Sequence, residues 1–490
     1  MTAPRHVAHH SLIVRFCLLA ASLTACSDGG RAQGAPPNSS AGDGDGDGDG
    51  DGDGDGDDTD EGDGDRPGVG DGDGDGDGHG DAGTDAGFRG SYQEVFDQGL
   101  TRYVGTPQVK ETEVTTSGSG DTQLQIHHFS SDNRGPACMY GDEYFVETRQ
   151  GSSDTLMIFL QGGGVCLTEI CAATPSPILS LQLFDVASSI GIGGLLDPRN
   201  ANNPTKDFDV VNAPYCDGSL FAGDVDRILS DGNDSNGKDD QAYQRGLQNL
   251  TATLETAHRL FPSPPRIVLI GSSGGAYGVV AGTVLTRYFY PDTPLLVISD
   301  SGAPIVNGID KGFITRALTE FNAISLIPKS CPDCLANGHA TGMLEWALDL
   351  DPQLTVAYMT HARDHVIGEF FMKTTADQFQ AAVVGETDRM LAKFPDRAYR
   401  FVIPTNRHTL TMGLDDLPDG LQGSVLGFAG GLGFGFIGPD VNSEALSTWA
   451  MGGMKETGKD DDGKAWTGYD WVRSLLNDPS NTPSVLQLQP

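Results

Sequence analysis

One stretch constrains the fold more than any other: Pro265 to Tyr290, PRIVLIGSSGGAYGVVAGTVLTRYFY. Ile267 to Ile270 are consecutive apolar residues and read as a buried strand. They run into Gly271-Ser272-Ser273-Gly274-Gly275, a G-x-S-x-G pentapeptide. Beyond it apolar residues recur at helical spacing, with Val280, Val284 and Tyr288 on one face. A strand that reverses into a helix over so few residues leaves no room for side chains beside the central one, which accounts for glycine at both flanks. Such an elbow lifts the Ser273 hydroxyl above the sheet edge, and the start of the next helix leaves unpaired N–H groups aimed at any oxyanion forming there.

The chain around this element alternates short apolar runs with helical patterns. Strands are expected at Gln123 to Phe129, Thr155 to Leu160, Asp207 to Ala213, Arg266 to Ile270, Leu295 to Ser299, Thr355 to Met359 and Tyr399 to Ile403. Helices are expected at Gln241 to Leu260, Val279 to Tyr290 and Ala376 to Phe394. That alternation predicts an α/β fold with a mostly parallel central sheet flanked by helices. The intervals Ala172 to Lys206 and Gly302 to Asp351 are longer than ordinary connections and predict cap or pocket insertions. Leu421 to Ile437 is an apolar, Gly-rich run that reads as core, with an acyl tunnel or a lid as alternatives.

Three further segments supply chemistry that a serine hydroxyl needs. Leu160-Gln161-Gly162-Gly163-Gly164 follows a strand, and its glycines let backbone N–H groups turn inward, so Gly163, Gly164 and Gly274 are the candidate oxyanion donors. A phosphate-binding loop is the competing reading, but no Lys-Ser/Thr and no G-x-G-x-x-G spacing accompany it. In the order serine, acid, histidine, the candidates after Ser273 are Asp364 and His408, each following a predicted strand. Asp300 is the rival acid, and His339, His361 and His365 are the rival bases.

The N-terminal region has another composition. Arg5 to Arg15 is basic, Phe16 to Ala25 is a short, mostly apolar run, and Leu23-Thr24-Ala25-Cys26 has the form of a bacterial lipobox, so residues 1–26 read as a lipoprotein signal with lipidation at Cys26. Residues 27–87 read as a disordered linker. From Asp43 to Asp85 it carries 19 acidic residues against Arg66 alone, about half of the net charge of −37. A coil of that length reaches about 45 Å. Its repeats lack the pattern of a calcium-binding roll or EF-hand. Residues 88–490 read as one catalytic domain. The net negative charge argues against a nucleic-acid partner. The expected protein is an exported monomer, tied to a bacterial outer membrane or cell surface only through Cys26.

Six cysteines lie beyond Cys17 and Cys26: Cys138, Cys166, Cys171, Cys216, Cys331 and Cys334. In an exported chain an even number favours disulfides, and the expected pairs are Cys138–Cys216, Cys166–Cys171 and Cys331–Cys334. A four-thiolate zinc site is the alternative, disfavoured by the export signal and the uneven spacing.

Several blocks, in order, resemble the pectin acetylesterase and Notum carboxylesterase family: Cys138-Met139-Tyr140-Gly141, Phe159 to Cys166, Tyr215-Cys216-Asp217-Gly218-Ser219 with Phe221 to Asp224, the elbow, and Ser299-Asp300-Ser301-Gly302. The resemblance implies an α/β-hydrolase-like fold, a Ser-Asp-His triad at Ser273, Asp364 and His408, hydrolysis of carboxylic esters, and no metal or organic cofactor. The chain departs from the family pattern at Gln161, Val165, Gly274 to Ala276 and Thr405. The implied substrate is an acetylated carbohydrate or another acylated molecule. A surface-displayed binding lipoprotein on the same scaffold, and a long-chain lipase or depolymerase, are the alternative functions.

Overall fold

The computed structural model describes residues 89–120, 123–167, 193–229, 240–306, 309–412 and 452–488. The signal with Cys26, the acidic linker, Cys171 and the Leu421 to Ile437 run lie outside the described residues. Every described residue belongs to one compact unit within Gly80–Pro490.

In chain order the strands are β1 (Glu111–Ser117), β2 (Leu124–Phe129), β3 (Tyr144–Arg149), β4 (Ser153–Leu160), β5 (Phe208–Ala213), β6 (Val225–Leu229), β7 (Asp240–Gln244), β8 (Ile267–Ser272), β9 (Leu295–Asp300), β10 (Leu354–His361), β11 (Ala398–Ile403), β12 (Thr457–Lys459), β13 (Ala465–Thr467) and β14 (Val485–Leu486). Ten of them form one sheet in the order β1-β2-β3-β5-β4-β8-β9-β10-β11-β14. The pairings from β1 to β5 are antiparallel, and those from β5 to β14 are parallel. The helices are α1 (Arg89–Val95), α2 (Gly246–Leu260), α3 (Gly274–Phe289), α4 (Phe313–Glu320), α5 (Thr341–Leu350), α6 (Ala376–Lys393) and α7 (Gly468–Asn477).

The parallel strands are mostly apolar because both faces are covered. Leu156, Ile158 and Leu160 of β4, with Ile267 and Leu269 of β8, pack in one cluster with side chains of α2, α3, α5 and α6. Met157 and Phe159, with Val268 and Ile270, join a second cluster with Trp471, Val472 and Leu475 of α7. That split follows the two-residue period of a strand. The structure is therefore the expected α/β-hydrolase-like sheet flanked by helices. All seven expected strands are present with small shifts of their ends.

Two helix expectations need correction. Residues 241–244 belong to β7, which pairs antiparallel with β6, and α2 begins only at Gly246. The reason is visible in the side chains: Ala242 and Gln244 are buried while Gln241 is exposed, a two-residue alternation that a helical reading overrides. Helix α3 starts at Gly274, earlier than the apolar pattern indicates, because the elbow commits the chain to a helix directly after Ser273. Its buried surface is also wider than expected. Val280 and Tyr288 are only half-buried, whereas Val279, Val284 and Leu285 are fully packed.

The sulfur pairs Cys138–Cys216 and Cys331–Cys334 are disulfides, as expected. Cys166 is also disulfide-bonded.

Candidate active site

The elbow is built where β8 ends. Ser273 holds φ 52° and ψ −117°, a backbone region that non-glycine residues adopt at a cost of about 1–3 kcal/mol. The glycines around it answer to sterics. A Cβ on Gly271 would come within 2.0 Å of the Gly275 carbonyl oxygen, and one on Gly275 within 2.1 Å of the Leu160 carbonyl oxygen. The serine turn and the end of β4 are thus in backbone contact.

Strands β4, β8, β9, β10 and β11 run parallel, so the loops leaving them meet at one sheet edge. Asp364 follows β10 and His408 follows β11, and these loops bring both side chains to Ser273. His408 Nε2 lies 2.8 Å from Ser273 Oγ, and His408 Nδ1 lies 2.8 Å from Asp364 Oδ2. All three residues are buried, with Ser273 8 % and His408 6 % exposed. The other carboxylate oxygen, Asp364 Oδ1, accepts the N–H groups of Val366 at 3.0 Å and Ile367 at 3.1 Å. These bonds orient the carboxylate, so that Oδ2 faces an Nδ1–H and leaves Nε2 free to accept from the serine hydroxyl.

Gly163 and Gly274 line the cavity beside Ser273, and no contact places Gly164 there. The Gly274 N–H opens α3 and has no acceptor within the helix. A Cβ on Gly274 would sit 3.4 Å from the Gly163 nitrogen, so the two backbones lie against each other. Tyr215 packs behind them. Its ring would be 2.2 Å from a Cβ on Gly163 and 3.0 Å from one on Gly274. The sequence gives no independent signal for this backing role, although Tyr215 belongs to a block already singled out.

The rival residues sit elsewhere in the hydrogen-bond network. His361, the last residue of β10, is fully buried, with Nδ1 at 2.5 Å from Thr405 Oγ1 and Nε2 at 3.4 Å from the Thr409 carbonyl. Burial pushes its pKa down to about 4. His339 Nδ1 accepts the Val306 N–H, and burial lowers its pKa to about 4 as well. His365 Nδ1 lies 2.6 Å from the Asn406 carbonyl. Asp300 is fully buried, but its carboxylate bonds to Ser272, Ser301, Leu410 and Thr411.

A cavity of about 50 Å³ opens beside Ser273. Phe313, Ile314 and Ala317 of α4 and Val306 line it, so the Gly302 to Asp351 interval does wall a pocket. Val165, Leu167, Leu220 and Tyr277 form further parts of the wall. Ile367, Phe371 and Met372 complete it from the π-helical turn Val366–Phe371 and the residue after it. The sequence reading overlooks these last three. Their signal is the apolar run that begins at Val366, two residues after Asp364. Among the described residues no group of three or more His, Cys, Asp or Glu side chains is placed to hold a metal ion.

A doubly covered parallel sheet with a serine at a strand–helix elbow defines the α/β-hydrolase class. Residues 119–317 match the family model described as PAE: Pectinacetylesterase, and that match supports an esterase. The matched segment contains Gly163, Gly164, Ser273 and Gly274 and ends before Asp364 and His408. No curated protein matches the chain. Among solved structures, the Wnt deacylase Notum from Drosophila is similar at a TM-score of 0.40 and 15% identity, over 62% of this chain and 87% of that one.

Proposed function

We propose that this esterase cleaves its ester through an acyl-enzyme on Ser273, with His408 as general base and acid and Asp364 as the group that orients it. The observation that carries the reading is the pair of 2.8 Å contacts joining Ser273 Oγ, His408 and Asp364 at a strained elbow. His408 Nε2 takes the serine proton as Oγ attacks the acyl carbon. The carbonyl oxygen becomes an oxyanion facing the N–H groups of Gly163, Gly164 and Gly274. His408 then returns the proton to the departing alcohol. A water molecule, deprotonated by the same nitrogen, attacks the acyl-enzyme and releases the acid, restoring the serine.

The apolar cavity beside Ser273 supports a small acyl group. Among the described residues its walls are almost all apolar and offer little to a charged or sugar-like moiety. The acyl chain enters this pocket while the alcohol remains outside, which fits deacetylation of a carbohydrate or another bulky acylated molecule. The lipobox at Cys26 and the acidic linker support an enzyme tethered to the outer membrane or cell surface. A p-nitrophenyl ester series from acetate to palmitate tests the acyl assignment. The expected result is kcat/KM highest for acetate or propionate and falling with chain length. A maximum at long acyl chains would instead establish the lipase reading.

A further inference from the structure

Asp300, at the end of β9, touches both halves of the proposed machinery without contacting its reacting atoms. Its backbone carbonyl accepts the Ser273 N–H at 2.9 Å. Its carboxylate Oδ2 accepts from the hydroxyl of Ser272, the residue before the nucleophile, at 3.2 Å. On the other side, Leu410 N–H lies 3.0 and 2.9 Å from the two carboxylate oxygens, and Oδ2 also accepts Thr411 N–H at 2.8 Å and Thr411 Oγ1 at 2.7 Å. Ser301 extends the same support. Its hydroxyl donates to Asp300 Oδ1 at 3.0 Å and accepts the Thr409 N–H at 2.6 Å. Residues 409–411 directly follow His408, so the base sits on a segment fastened to Asp300 and Ser301.

Two features distinguish this arrangement from an ordinary buried turn acid. The bonds join segments far apart in sequence, 28 residues to Ser272 and 110 or 111 to the histidine loop. Residues on both sides of the bridge also hold the left-handed backbone region: Thr409 in the histidine loop has φ 60° and Ser301, after Asp300, φ 61°. Five donor groups converge on one carboxylate, and an acceptor-only side chain with about four lone-pair sites suits that crowd. Burial raises the Asp300 pKa while the surrounding donors oppose the rise.

We propose that Asp300, with Ser301, is the positioning device that sets the distance between Ser273 and His408, by fastening the residues before the nucleophile and after the base to one buried carboxylate. This role rests on the acyl-enzyme reading above. It predicts that loosening Asp300 lowers the chemical step and leaves the acyl pocket, and hence substrate binding, nearly intact. A misplacement of about 1 Å between reacting groups costs on the order of 100-fold in rate.

The test measures kcat and KM for p-nitrophenyl acetate with the full-length protein and its Asp300→Ala and Asp300→Asn variants, with folding monitored by circular dichroism and thermal melting. Folded Asp300→Ala is expected to lose about 100-fold in kcat with KM within about threefold of the parent. Asp300→Asn is expected to recover part of that loss, because its amide oxygen can still accept from Leu410 and Thr411 and the Ser301 hydroxyl can rotate to accept from its NH2 group. A folded Asp300→Ala with kcat within about threefold of the parent, a loss confined to KM, or an asparagine variant no better than alanine would each overturn the proposal. If Asp300→Ala does not fold, Ser301→Ala decides in its place: kcat reduced at least about tenfold at constant KM supports the role, and unchanged kcat overturns it. Ser273→Ala run alongside separates the two ideas. Activity retained there removes the serine reading itself, whereas an inactive Ser273→Ala beside an unimpaired Asp300→Ala removes only the positioning role.

Discussion

Replacing Asp364 by asparagine exchanges one oxygen for an NH2 group and is expected to reverse the proton arrangement of the whole relay. In the native site Oδ1 faces two backbone donors, Val366 N–H at 3.0 Å and Ile367 N–H at 3.1 Å, and Oδ2 faces His408 Nδ1 at 2.8 Å. The asparagine amide has one acceptor and one donor end. Two fixed N–H groups select its oxygen at the Oδ1 position, because turning the NH2 toward them would leave buried donors facing donors. The NH2 then points at His408 Nδ1, which must accept. The proton moves to Nε2, the atom facing Ser273 Oγ, and the histidine can no longer take the serine proton. A tautomer reversal of this kind lowers kcat by about 10⁴, roughly 5.5 kcal/mol of transition-state stabilisation, with little change in KM. Steady-state kinetics on p-nitrophenyl acetate reads the rate, and ¹⁵N NMR of the His408 ring reads the tautomer. A folded Asp364→Asn enzyme retaining more than about one-tenth of native kcat would refute the reasoning, and so would an unchanged tautomer.

Gly275→Ala is expected to damage the elbow from a distance, since the added Cβ falls 2.1 Å from the Leu160 carbonyl and 2.8 Å from that of Gln161. Shifting β4 against β8 displaces the glycine loop from Ser273, and kcat should fall about 100-fold together with a lowered melting temperature; native kcat and stability would contradict this account. Asp217 is fully buried, and burial raises its pKa to about 7 against the hydrogen bonds that favour its charged form. Because the folded state then keeps a proton that the unfolded state releases near pH 3.8, this group costs stability progressively as pH rises from about 4 to about 7. Thermal melts at pH 5 and pH 8 should therefore show Asp217→Asn gaining on the parent at the higher pH, and the opposite trend would contradict the assignment.

How much of this was legible from residue letters varies with the physical origin of each feature. The strands β4, β8, β9, β10 and β11 each carry a stretch of mostly apolar residues because both faces are covered, and such a stretch is visible without knowing its neighbours. The elbow was legible because its glycines answer to backbone sterics within five residues. Strand β1 is a different case: its residues are largely exposed, so no apolar alternation marks it, and only pairing with β2 makes it a strand. The β6–β7 hairpin was hidden by the helix that follows it, since α2 and β7 are separated by Arg245 alone. Asp300 shows the deeper limit. Its position after a strand made it a sensible rival for the acid, and only the fold shows that its oxygens turn to Ser272 and Thr411 while Asp364 takes His408. Choosing between two carboxylates at adjacent strand ends is a question of side-chain direction, which spacing along the chain does not encode.

The most direct test of the central claim is covalent labelling of Ser273. Full-length protein treated with a fluorophosphonate and examined by peptide mass spectrometry should carry the phosphonyl group on Ser273, lose its p-nitrophenyl acetate hydrolysis in proportion to labelling, and show neither labelling nor hydrolysis in Ser273→Ala. Hydrolysis that persists in folded Ser273→Ala, or stoichiometric labelling at another residue with Ser273 unmodified, would contradict it.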